Sequence, residues 1–343
     1  MRKRVLVINT GGTIGMRRTD SGYRPEPGFL LNQMRRLPEL ADPAMPTYEV
    51  REFAPVIDSA NMTPSDWQRI ATEIYQAYGD FDGFLILHGT DTMAYTASAL
   101  AFMLQGLAKT VILTGSQLPL CELRNDAREN LMTAMLLASQ FTIPEVAIFF
   151  GSRLLRGCRS TKASTNLFEA FESPNYPPLG IAGTELEVFP ERFRVGQPGT
   201  ELRIKPMPSC RIATIRLFPG FDCAVLRHVL EQSLEGVILQ SFGVGNGPSD
   251  PEFLRTLQAA VERGVNVVNL TQCHQGEVLM GEYATGSALA AAGIVSGGDM
   301  TFEATLAKLR YLVGEGYSGP EMKAALAKDL VGERTSPLET SPG

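Results

Sequence analysis

Apolar runs of strand length alternate with stretches of helical periodicity along the first third of the chain. Residues 5–8 and 84–87 are apolar throughout, and between them Ile70, Ile74 and Ala77 recur at the spacing of one helix face. Strands that are apolar on both faces and alternate with helices are typical of a parallel sheet covered on both sides. The pattern therefore predicts an α/β fold.

Local signals refine these elements. Thr63 is suited to cap a helix, Pro64 to occupy its first position and Asp66 to lie in its first turn. A further helix is predicted over 92–105 and a strand over 111–113. The alternation returns later in the chain, with strands predicted near 213–217, 236–239 and 265–269 and a helix near 252–263.

The chain has 343 residues, which is more than one hydrophobic core usually organises, so two domains are expected. Prolines are frequent between residues 174 and 208 and interrupt the periodicity there. The last segment is rich in Pro, Ser, Thr and Glu, a composition typical of disorder. We predict two domains with parallel-rich sheets flanked by helices: an N-terminal α/β domain over 1–190, a linker over 191–212, a C-terminal α/β domain over 213–331 and a disordered tail over 332–343.

Composition and charge narrow the class of protein. Hydrophobic residues make up 44% and charged residues 20%, as in ordinary globular proteins, and the formal net charge is -6. A nucleic-acid partner is disfavoured, because binding a polyanion needs clustered Lys and Arg. The apolar run at 5–8 is too short for a signal peptide, and no segment approaches the length of a membrane span. The five cysteines lack the spacing of a disulfide scaffold or a zinc site, so we expect a cytoplasmic protein.

Polar segments follow three of the predicted strands, at residues 10–13, 88–91 and 114–117. Ligands gather at the carboxyl ends of parallel strands, so these segments are expected to form the binding site. In the first segment, Thr13 lies in a Gly-Gly turn that lacks both the GxGxxG fingerprint and the lysine of a P-loop. A dinucleotide or phosphate site is therefore disfavoured, and the Thr13 hydroxyl becomes the candidate for chemistry.

The sequence lacks the common histidine-based catalytic sets. Its three histidines form no HExxH pattern and no pairing with CxxC cysteines, so neither a zinc hydrolase nor a His-based triad is predicted. His88, at the end of a predicted strand, is interpreted as an oriented structural histidine. A threonine hydroxyl is a poor nucleophile at neutral pH, so it must be activated by a carboxylate, a tyrosine or a lysine with a lowered pKa.

Candidate groups for this activation lie in three places. Tyr23 follows a polar stretch, 17–22, that could close over the site as a lid. Thr90 and Asp91 place a hydroxyl beside a carboxylate at a second strand end. Lys162 is the available lysine, and a solvated surface position is its alternative interpretation.

Residues 10–15, Thr-Gly-Gly-Thr-Ile-Gly, and residues 88–95, His-Gly-Thr-Asp-Thr-Met-Ala-Tyr, resemble the paired signatures of the bacterial-type L-asparaginase family. The resemblance runs in order along nearly the whole chain and points to the cytoplasmic type I branch. The other matching segments are 58–59 with 62–64, 114–117, 241–246 and 269–273. The resemblance implies a two-domain asparaginase-like α/β fold, a homotetramer built as a pair of intimate dimers, and hydrolysis of asparagine to aspartate and ammonia without metal or cofactor.

Carried onto this chain, the resemblance implies that Thr13 is the nucleophile and Tyr23 its activating partner, with Thr90, Asp91 and Lys162 as a second cluster. The substrate contacts that it implies, besides Thr90 and Asp91, are Gly12, Asp58, Ser59, Ala60, Gly89 and, at the partner subunit's site, Asn246. Which threonine attacks first stays open, as does the choice between a double and a single displacement.

One position departs from the family pattern. Type I enzymes can carry a second, regulatory asparagine site that relies on an arginine just before the segment that begins at Ser241, where this chain has Gln240. Thr161 and Cys273 match other parts of that site. Loss of the guanidinium removes the bidentate partner of a carboxylate, so activation by asparagine is predicted to be weak or absent.

Three alternatives stay open. The same chemistry could serve a glutaminase-asparaginase, or the amidase subunit of a tRNA-dependent amidotransferase, which usually has extra N-terminal sequence. A non-catalytic amino-acid-binding module is the alternative of a different class. The intact set of Thr13, Tyr23, Thr90, Asp91 and Lys162 argues against it.

Overall fold

The computed structural model describes residues 2–20, 22–195 and 200–336 of the chain. The chain divides between Lys205 and Pro206 into two compact units, and this boundary lies inside the linker predicted over 191–212. Both units combine parallel-rich sheets with helices, which confirms the predicted α/β class. No helix within the described ranges has the length and apolar character needed to cross a membrane.

In the described part of the N-terminal unit, a sheet of eight strands is accompanied by three short strand pairs and four helices. The strands are β1 (Arg4–Asn9), β2 (Met16–Thr19), β3 (Gly22–Pro25), β4 (Thr47–Glu52), β5 (Gly83–Leu87), β6 (Leu104–Gln105), β7 (Thr110–Thr114), β8 (Val146–Phe150), β9 (Arg153–Arg156), β10 (Thr161–Lys162), β11 (Phe171–Glu172), β12 (Gly180–Ala182), β13 (Leu186–Val188) and β14 (Arg203–Ile204). The helices are α1 (Phe29–Met34), α2 (Pro64–Ala77), α3 (Met93–Met103) and α4 (Ala127–Gln140).

The strand order of the large sheet is β13-β12-β9-β8-β7-β5-β1-β4. Neighbours from β8 to β4 are parallel, and β5 and β7 are buried along their whole length, as continuous apolar runs predict. The other edge, formed by β9, β12 and β13, is antiparallel and was not predicted. Gly151 and Ser152, which join β8 to β9, have φ of 54° and 66°, and a two-residue hairpin turn requires such positive values.

The start of helix α2 lies where the sequence predicts it. Thr63 immediately precedes the helix, and its backbone N–H donates to the Asp66 carboxylate at 3.0 Å, as in a capping box. Helix α3 is shorter than the predicted 92–105, because β6 at its end pairs with β14.

The polar stretch 17–22 belongs to a hairpin. Strands β2 and β3 pair antiparallel, with Arg18 opposite Tyr23, and both strands are exposed apart from Met16. Ser21, within the stretch, lies outside the described residues. The candidate lid is therefore a two-stranded arm that begins directly after the Thr13 turn.

The described part of the C-terminal unit contains one parallel sheet, and the strands and the helix predicted from 213 to 269 lie within two residues of their observed bounds. In order across the sheet, its strands are β15 (Ile212–Arg216), β16 (Gly236–Ser241), β17 (Asn266–Thr271) and β18 (Val295–Ser296). The helices are α5 (Cys223–Leu230), α6 (Pro251–Glu262), α7 (Ala284–Ala291), α8 (Phe302–Gly314) and α9 (Gly319–Ala327).

The segment for which a tail is predicted is packed at its start. Glu333 is completely buried and lies 2.6 Å from the ammonium of Lys308, a residue of α8. Residues 332–336 thus belong to the C-terminal unit, and residues 337–343 lie outside the described residues.

Candidate active site

Three polar segments leave the N-terminal sheet side by side, after β1, β5 and β7. These strands are adjacent and parallel, so the segments that follow them emerge at the same edge. The Thr10 backbone N–H donates to the Leu87 carbonyl at 3.0 Å, and the His88 N–H donates to the Thr114 carbonyl at 2.9 Å. These bonds extend the strand ladder by one residue and fix the start of each segment.

Gly12 and Gly89 bring the first two segments into contact. Gly12 has a φ of 93°, and a Cβ added there would lie 2.4 Å from the backbone nitrogen of Gly89. A Cβ added to Gly89 would lie 2.4 Å from the Ser59 hydroxyl oxygen. No side chain fits at either glycine, so the backbones converge, and Thr13 and Thr90 both follow directly from this point of contact.

Thr13 begins a short 3-10 helix and is half-buried. The turn is fixed through its backbone: Gly15 N–H donates to the Gly12 carbonyl at 3.2 Å, and Ile57 N–H donates to the Thr10 carbonyl at 2.7 Å. Within the described part of the chain, the Thr13 hydroxyl itself has no hydrogen-bond partner. A hydroxyl on a fixed turn with no protein partner is available to a ligand.

Thr90 forms a compact cluster with Lys162 and Asp91. The Lys162 ammonium donates to Thr90 Oγ1 at 2.8 Å and to Asp91 Oδ1 at 2.8 Å. Thr90 is only 7% exposed, whereas the Asp91 side chain is 64% exposed and open to a ligand. Lys162 thus lies in the cluster and is not a solvated surface lysine. An ammonium at this distance stabilises negative charge on the Thr90 oxygen or on a water beside it.

A further short helix begins at Ser59 and adjoins the same glycine. The Asp58 carboxylate accepts a hydrogen bond from the Ala60 N–H at 3.1 Å and so caps this helix. The Thr92 hydroxyl donates to the Ser59 carbonyl at 2.8 Å and ties the Ser59 segment to the Thr90 segment. Ser59 is 4% exposed. The structure therefore brings Ser59 to Gly89, with Ala60 next to it on the same short helix, and it gives Asp58 a capping role.

The structure does not join Tyr23 to Thr13 by a hydrogen bond. The Tyr23 hydroxyl donates instead to Glu122 Oε1 at 2.9 Å. This hydrogen bond to a carboxylate raises the pKa of Tyr23 above its usual value. Tyr23 is thus a neutral hydroxyl held by Glu122, and it is not an ionised base placed on the nucleophile.

His88 has the contacts of an oriented structural histidine. It is completely buried, with Nδ1 2.7 Å from the Gly89 carbonyl and Nε2 2.9 Å from the Thr96 hydroxyl. Thr96 also accepts from the Trp67 indole N–H at 3.0 Å, so its own proton points to His88 Nε2. Burial lowers the pKa of His88 to about 4, which keeps the ring neutral at pH 7. The ring then donates to Gly89 and supports the backbone just before Thr90.

Three of the four candidate regulatory residues lie at carboxyl ends of strands in the C-terminal unit. Gln240 and Ser241 end β16, and the Gln240 side-chain oxygen accepts from a guanidinium N–H of Arg216 at 3.5 Å. Ser241 is completely buried, whereas Cys273, two residues after β17, is exposed. A guanidinium is therefore present at this strand edge, although it comes from β15 and not from position 240.

Two other predicted residues are held within their own units. The Asn246 side-chain oxygen accepts from the Thr285 hydroxyl at 2.7 Å, and the Asn246 backbone is bonded in both directions to Phe242, at 2.8 and 2.9 Å. Thr161 lies next to Lys162 on β10 and is paired with Glu172 of β11.

Glu122 and Thr92 are site residues that the sequence reasoning did not single out. Glu122 is 99 positions from Tyr23, and no local pattern marks such a pair. Thr92 lies inside the 88–95 motif, where a third hydroxyl is a usable signal. Among the described side chains, no three of the His, Cys, Asp and Glu type are grouped so as to hold a metal ion.

Comparison with known proteins extends this picture. Residues 4–194 match the family described as "Asparaginase, N-terminal", and residues 211–326 match "Glutaminase/Asparaginase C-terminal domain". The chain is 48% identical to L-asparaginase 1 of Escherichia coli (strain K12) over 339 residues, which cover 97% of this chain and 98% of that protein.

Two further relatives cover nearly all of this chain. It is similar to the crystal structure of L-asparaginase I from Vibrio cholerae O1 biovar eltor, with a TM-score of 0.92 and 48% identity over 98% of this chain and 100% of that one. It is also 43% identical to the 60 kDa lysophospholipase of Mus musculus, over 98% of this chain and 63% of that protein.

Proposed function

The chain belongs to the asparaginase family, and from that premise we propose that it hydrolyses L-asparagine to L-aspartate and ammonia with Thr13 as nucleophile. The observation that carries this assignment is the convergence at Gly89. Thr13 and Thr90 follow the ends of two adjacent strands, at the place where Gly12 and Gly89 meet. Among the described residues the Thr13 hydroxyl has no hydrogen-bond partner, whereas the Thr90 hydroxyl is bonded to the Lys162 ammonium.

In the first step the Thr13 oxygen attacks the carbon of the substrate's side-chain amide. A C–O bond forms while the carbonyl electron pair moves to the oxygen, and the Thr90 hydroxyl and nearby backbone N–H groups stabilise this oxyanion. The Thr13 proton goes, through a neighbouring group, to the amide nitrogen. The C–N bond then breaks, ammonia leaves, and a β-aspartyl ester on Thr13 remains.

In the second step a water attacks the ester. The water lies beside Thr90, where the Lys162 ammonium lowers the cost of negative charge on an oxygen. Its proton returns to Thr13 as the ester C–O bond breaks, and aspartate is released. The enzyme is then in its starting state.

The contacts of Thr90 support the order in which Thr13 attacks first. An ammonium only donates hydrogen bonds, and the one on Lys162 occupies a lone pair of the Thr90 oxygen and is itself paired with Asp91. While charged, Lys162 cannot accept the Thr90 proton, so Thr90 is better suited to donate to an oxyanion than to attack. A single displacement by water would use the same residues.

The substrate's α-groups are assigned to the polar side chains around Gly89. Asp91 is exposed and acidic, which suits the α-ammonium, and the Ser59 hydroxyl suits the α-carboxylate. Backbone groups of Gly12, Gly89 and Ala60 complete the contacts.

The deciding assay measures ammonia release from asparagine and from glutamine over a concentration series. Fatty-acid release from a lysophospholipid, the substrate that the name of the 60 kDa lysophospholipase suggests, is measured beside it. Wild type is compared with Thr13→Ala and Thr90→Val. We expect asparagine to be strongly preferred and each variant to lose about a thousandfold or more in kcat, because residues that act as a unit fail together. Full activity of Thr13→Ala would rule out the mechanism, and a glutamine rate equal to that with asparagine would rule out the substrate.

We also propose a cytoplasmic homotetramer in which Asn246 reaches the site of the partner subunit. This proposal rests on the family alone. Sedimentation of the purified chain tests for the tetramer. The Asn246→Ala variant is expected to raise KM for asparagine while the tetramer stays associated. A monomer with full activity would exclude both statements.

A further inference from the structure

Glu122 stands on a loop that is fixed to the base of the candidate lid. The Leu120 backbone N–H donates to the Ile14 carbonyl at 3.2 Å, directly after Thr13. The Cys121 thiol lies 3.5 Å from the Met16 carbonyl, at the first residue of β2. The loop is therefore bonded to the turn that carries Thr13 and to the start of the hairpin.

The loop is also fixed within itself. The Asp126 carboxylate accepts from the backbone N–H groups of Gln117 and Leu118, at distances from 2.9 to 3.1 Å. The Glu122 N–H donates to the Pro119 carbonyl at 3.0 Å, and the Asn125 amide donates to the Glu122 carbonyl at 2.6 Å. The carboxylate of Glu122 is thus presented from a rigid support.

Tyr23, in contrast, stands on an exposed arm. Tyr23 is 40% exposed, and on the strand opposite it every residue except Met16 is exposed. Of the described residues, Glu122 alone makes a hydrogen bond to the Tyr23 hydroxyl. A phenol has one proton, so a hydroxyl that donates to Glu122 can meet any further group only through its lone pairs.

We propose that Glu122 is a positioning residue for the reaction that acts through Tyr23. Its carboxylate accepts the hydrogen bond of the Tyr23 hydroxyl and holds the phenol against a loop that is bonded to the Thr13 turn. Tyr23 then meets the Thr13 hydroxyl as an acceptor, which is the role that a group orienting a nucleophile must have. This inference rests on the proposed function, because it needs Thr13 to be the nucleophile.

The negative charge of Glu122 contributes to holding the Tyr23 hydroxyl, in addition to the position of its acceptor oxygen. A hydrogen bond to a carboxylate keeps Tyr23 protonated, in agreement with the raised pKa of Tyr23. Glutamine at this position keeps an acceptor oxygen but removes the charge, so Glu122→Gln should hold Tyr23 less firmly than the native residue and more firmly than Glu122→Ala.

A double-mutant cycle on kcat tests the inference. Glu122→Ala and Tyr23→Phe are each expected to lower kcat by about ten- to a hundredfold with KM little changed, since small displacements of an orienting group cost this much. Glu122→Gln should lie between Glu122→Ala and wild type. In the Tyr23→Phe background, Glu122→Ala should cost nothing further, because Glu122 acts only through the phenol that is missing.

Glu26→Ala is the matched control. Glu26 is an acidic residue beside the same hairpin, but it pairs with Arg17 at 3.0 Å and has no contact with the Tyr23 hydroxyl. It should keep the wild-type kcat. Equal losses in Glu26→Ala and Glu122→Ala would reduce Glu122 to general support of the hairpin and overturn the inference, as would additive losses in the double variant.

A spectroscopic titration separates failure of the inference from failure of the proposed function. The ultraviolet signal of tyrosinate, taken as the difference between each protein and its Tyr23→Phe counterpart, reports Tyr23 alone. Its midpoint should move down in pH when Glu122 becomes Gln. An unmoved midpoint, or a moved midpoint with full activity of Tyr23→Phe, overturns the inference, whereas full activity of Thr13→Ala overturns the proposed function whatever the midpoint does.

Discussion

Two lysine–carboxylate pairs in this protein have the same chemistry and opposite surroundings. Lys308 and Glu333 in the C-terminal unit are both completely buried, with the ammonium 2.6 Å from the carboxylate. Lys162 and Asp91 in the N-terminal unit are 2.8 Å apart, but Asp91 is 64% exposed and the Lys162 side chain 18%. One pair is closed to solvent, and the other faces it.

The remaining partners differ in the same way. Lys308 also donates to the backbone carbonyls of Leu326 and Lys328, and Glu333 accepts from the N–H groups of Leu330 and Val331. Burial by itself would raise the pKa of Glu333, but the Lys308 ammonium, the Asp329 side chain and the Val331 N–H outweigh it and lower the pKa.

In the other pair, the third partner of Lys162 is the hydroxyl of Thr90, a group that can react. A lysine bonded only to backbone and a buried carboxylate holds a fold together. One that keeps a hydroxyl and an exposed carboxylate within reach is available for chemistry.

The comparison predicts that Lys162→Met acts on rate and not on stability. Loss of the ammonium removes the charge that stabilises an oxyanion near Thr90, so kcat should fall about a thousandfold, roughly 4 kcal/mol in the barrier. The thermal unfolding midpoint should stay close to wild type, since the pair is partly exposed and such pairs contribute little. Ammonia release and a melting curve on the same sample check both statements. An active Lys162→Met enzyme would contradict the catalytic role assigned to the Lys162–Asp91 pair.

Lys308→Met should do the opposite. It leaves the Glu333 carboxylate buried without its partner, and such a change costs about 3 kcal/mol or more in the free energy of unfolding. Denaturant unfolding measures the loss, while kcat per folded molecule should stay unchanged. The double variant Lys308→Met, Glu333→Leu is the control: because it removes both charges, it should recover much of the stability. No loss in the single variant would show that the pair contributes nothing.

The features that the sequence predicts well are those that depend on local patterns along the chain. Strands β5 and β7 are apolar over their whole length, and the segments after them must emerge at one edge of a parallel sheet. This local pattern, with two signature motifs, is sufficient to bring Thr13 and Thr90 together. Lys162 depended on the family resemblance, because nothing in its neighbourhood along the chain distinguishes it from a surface lysine.

Contacts between distant residues were beyond such reasoning. Glu333 lies in a stretch whose composition resembles a tail, and its partner on α8 comes 25 positions earlier with no shared periodicity. The hairpin β2–β3 shows no apolar alternation, because neither of its faces is buried. For that reason the sequence indicated only a polar stretch that could close as a lid. No pattern along the chain indicated the hairpin or the hydrogen bond between Tyr23 and Glu122.

The smallest expected effect concerns Gln240, which stands where the resemblance to type I enzymes implies a regulatory arginine. We expect the rate to depend hyperbolically on asparagine, with a Hill coefficient of about 1, because a neutral amide cannot hold a carboxylate as a guanidinium does. Gln240→Arg should raise the coefficient, whereas Gln240→Met, of similar length and without charge, should not.

Arg216 makes this test sharper, since its guanidinium is already 3.5 Å from the Gln240 oxygen. If the wild-type curve is sigmoidal and Arg216→Gln makes it hyperbolic, the charge has moved from one strand to its neighbour and the prediction for Gln240 is wrong. If the curve is hyperbolic and Arg216→Gln leaves it so, a guanidinium on β15 does not replace one on β16, because its direction of approach differs. In that case a cooperative site requires the planar guanidinium of an arginine introduced at position 240, and a positive charge nearby is not sufficient.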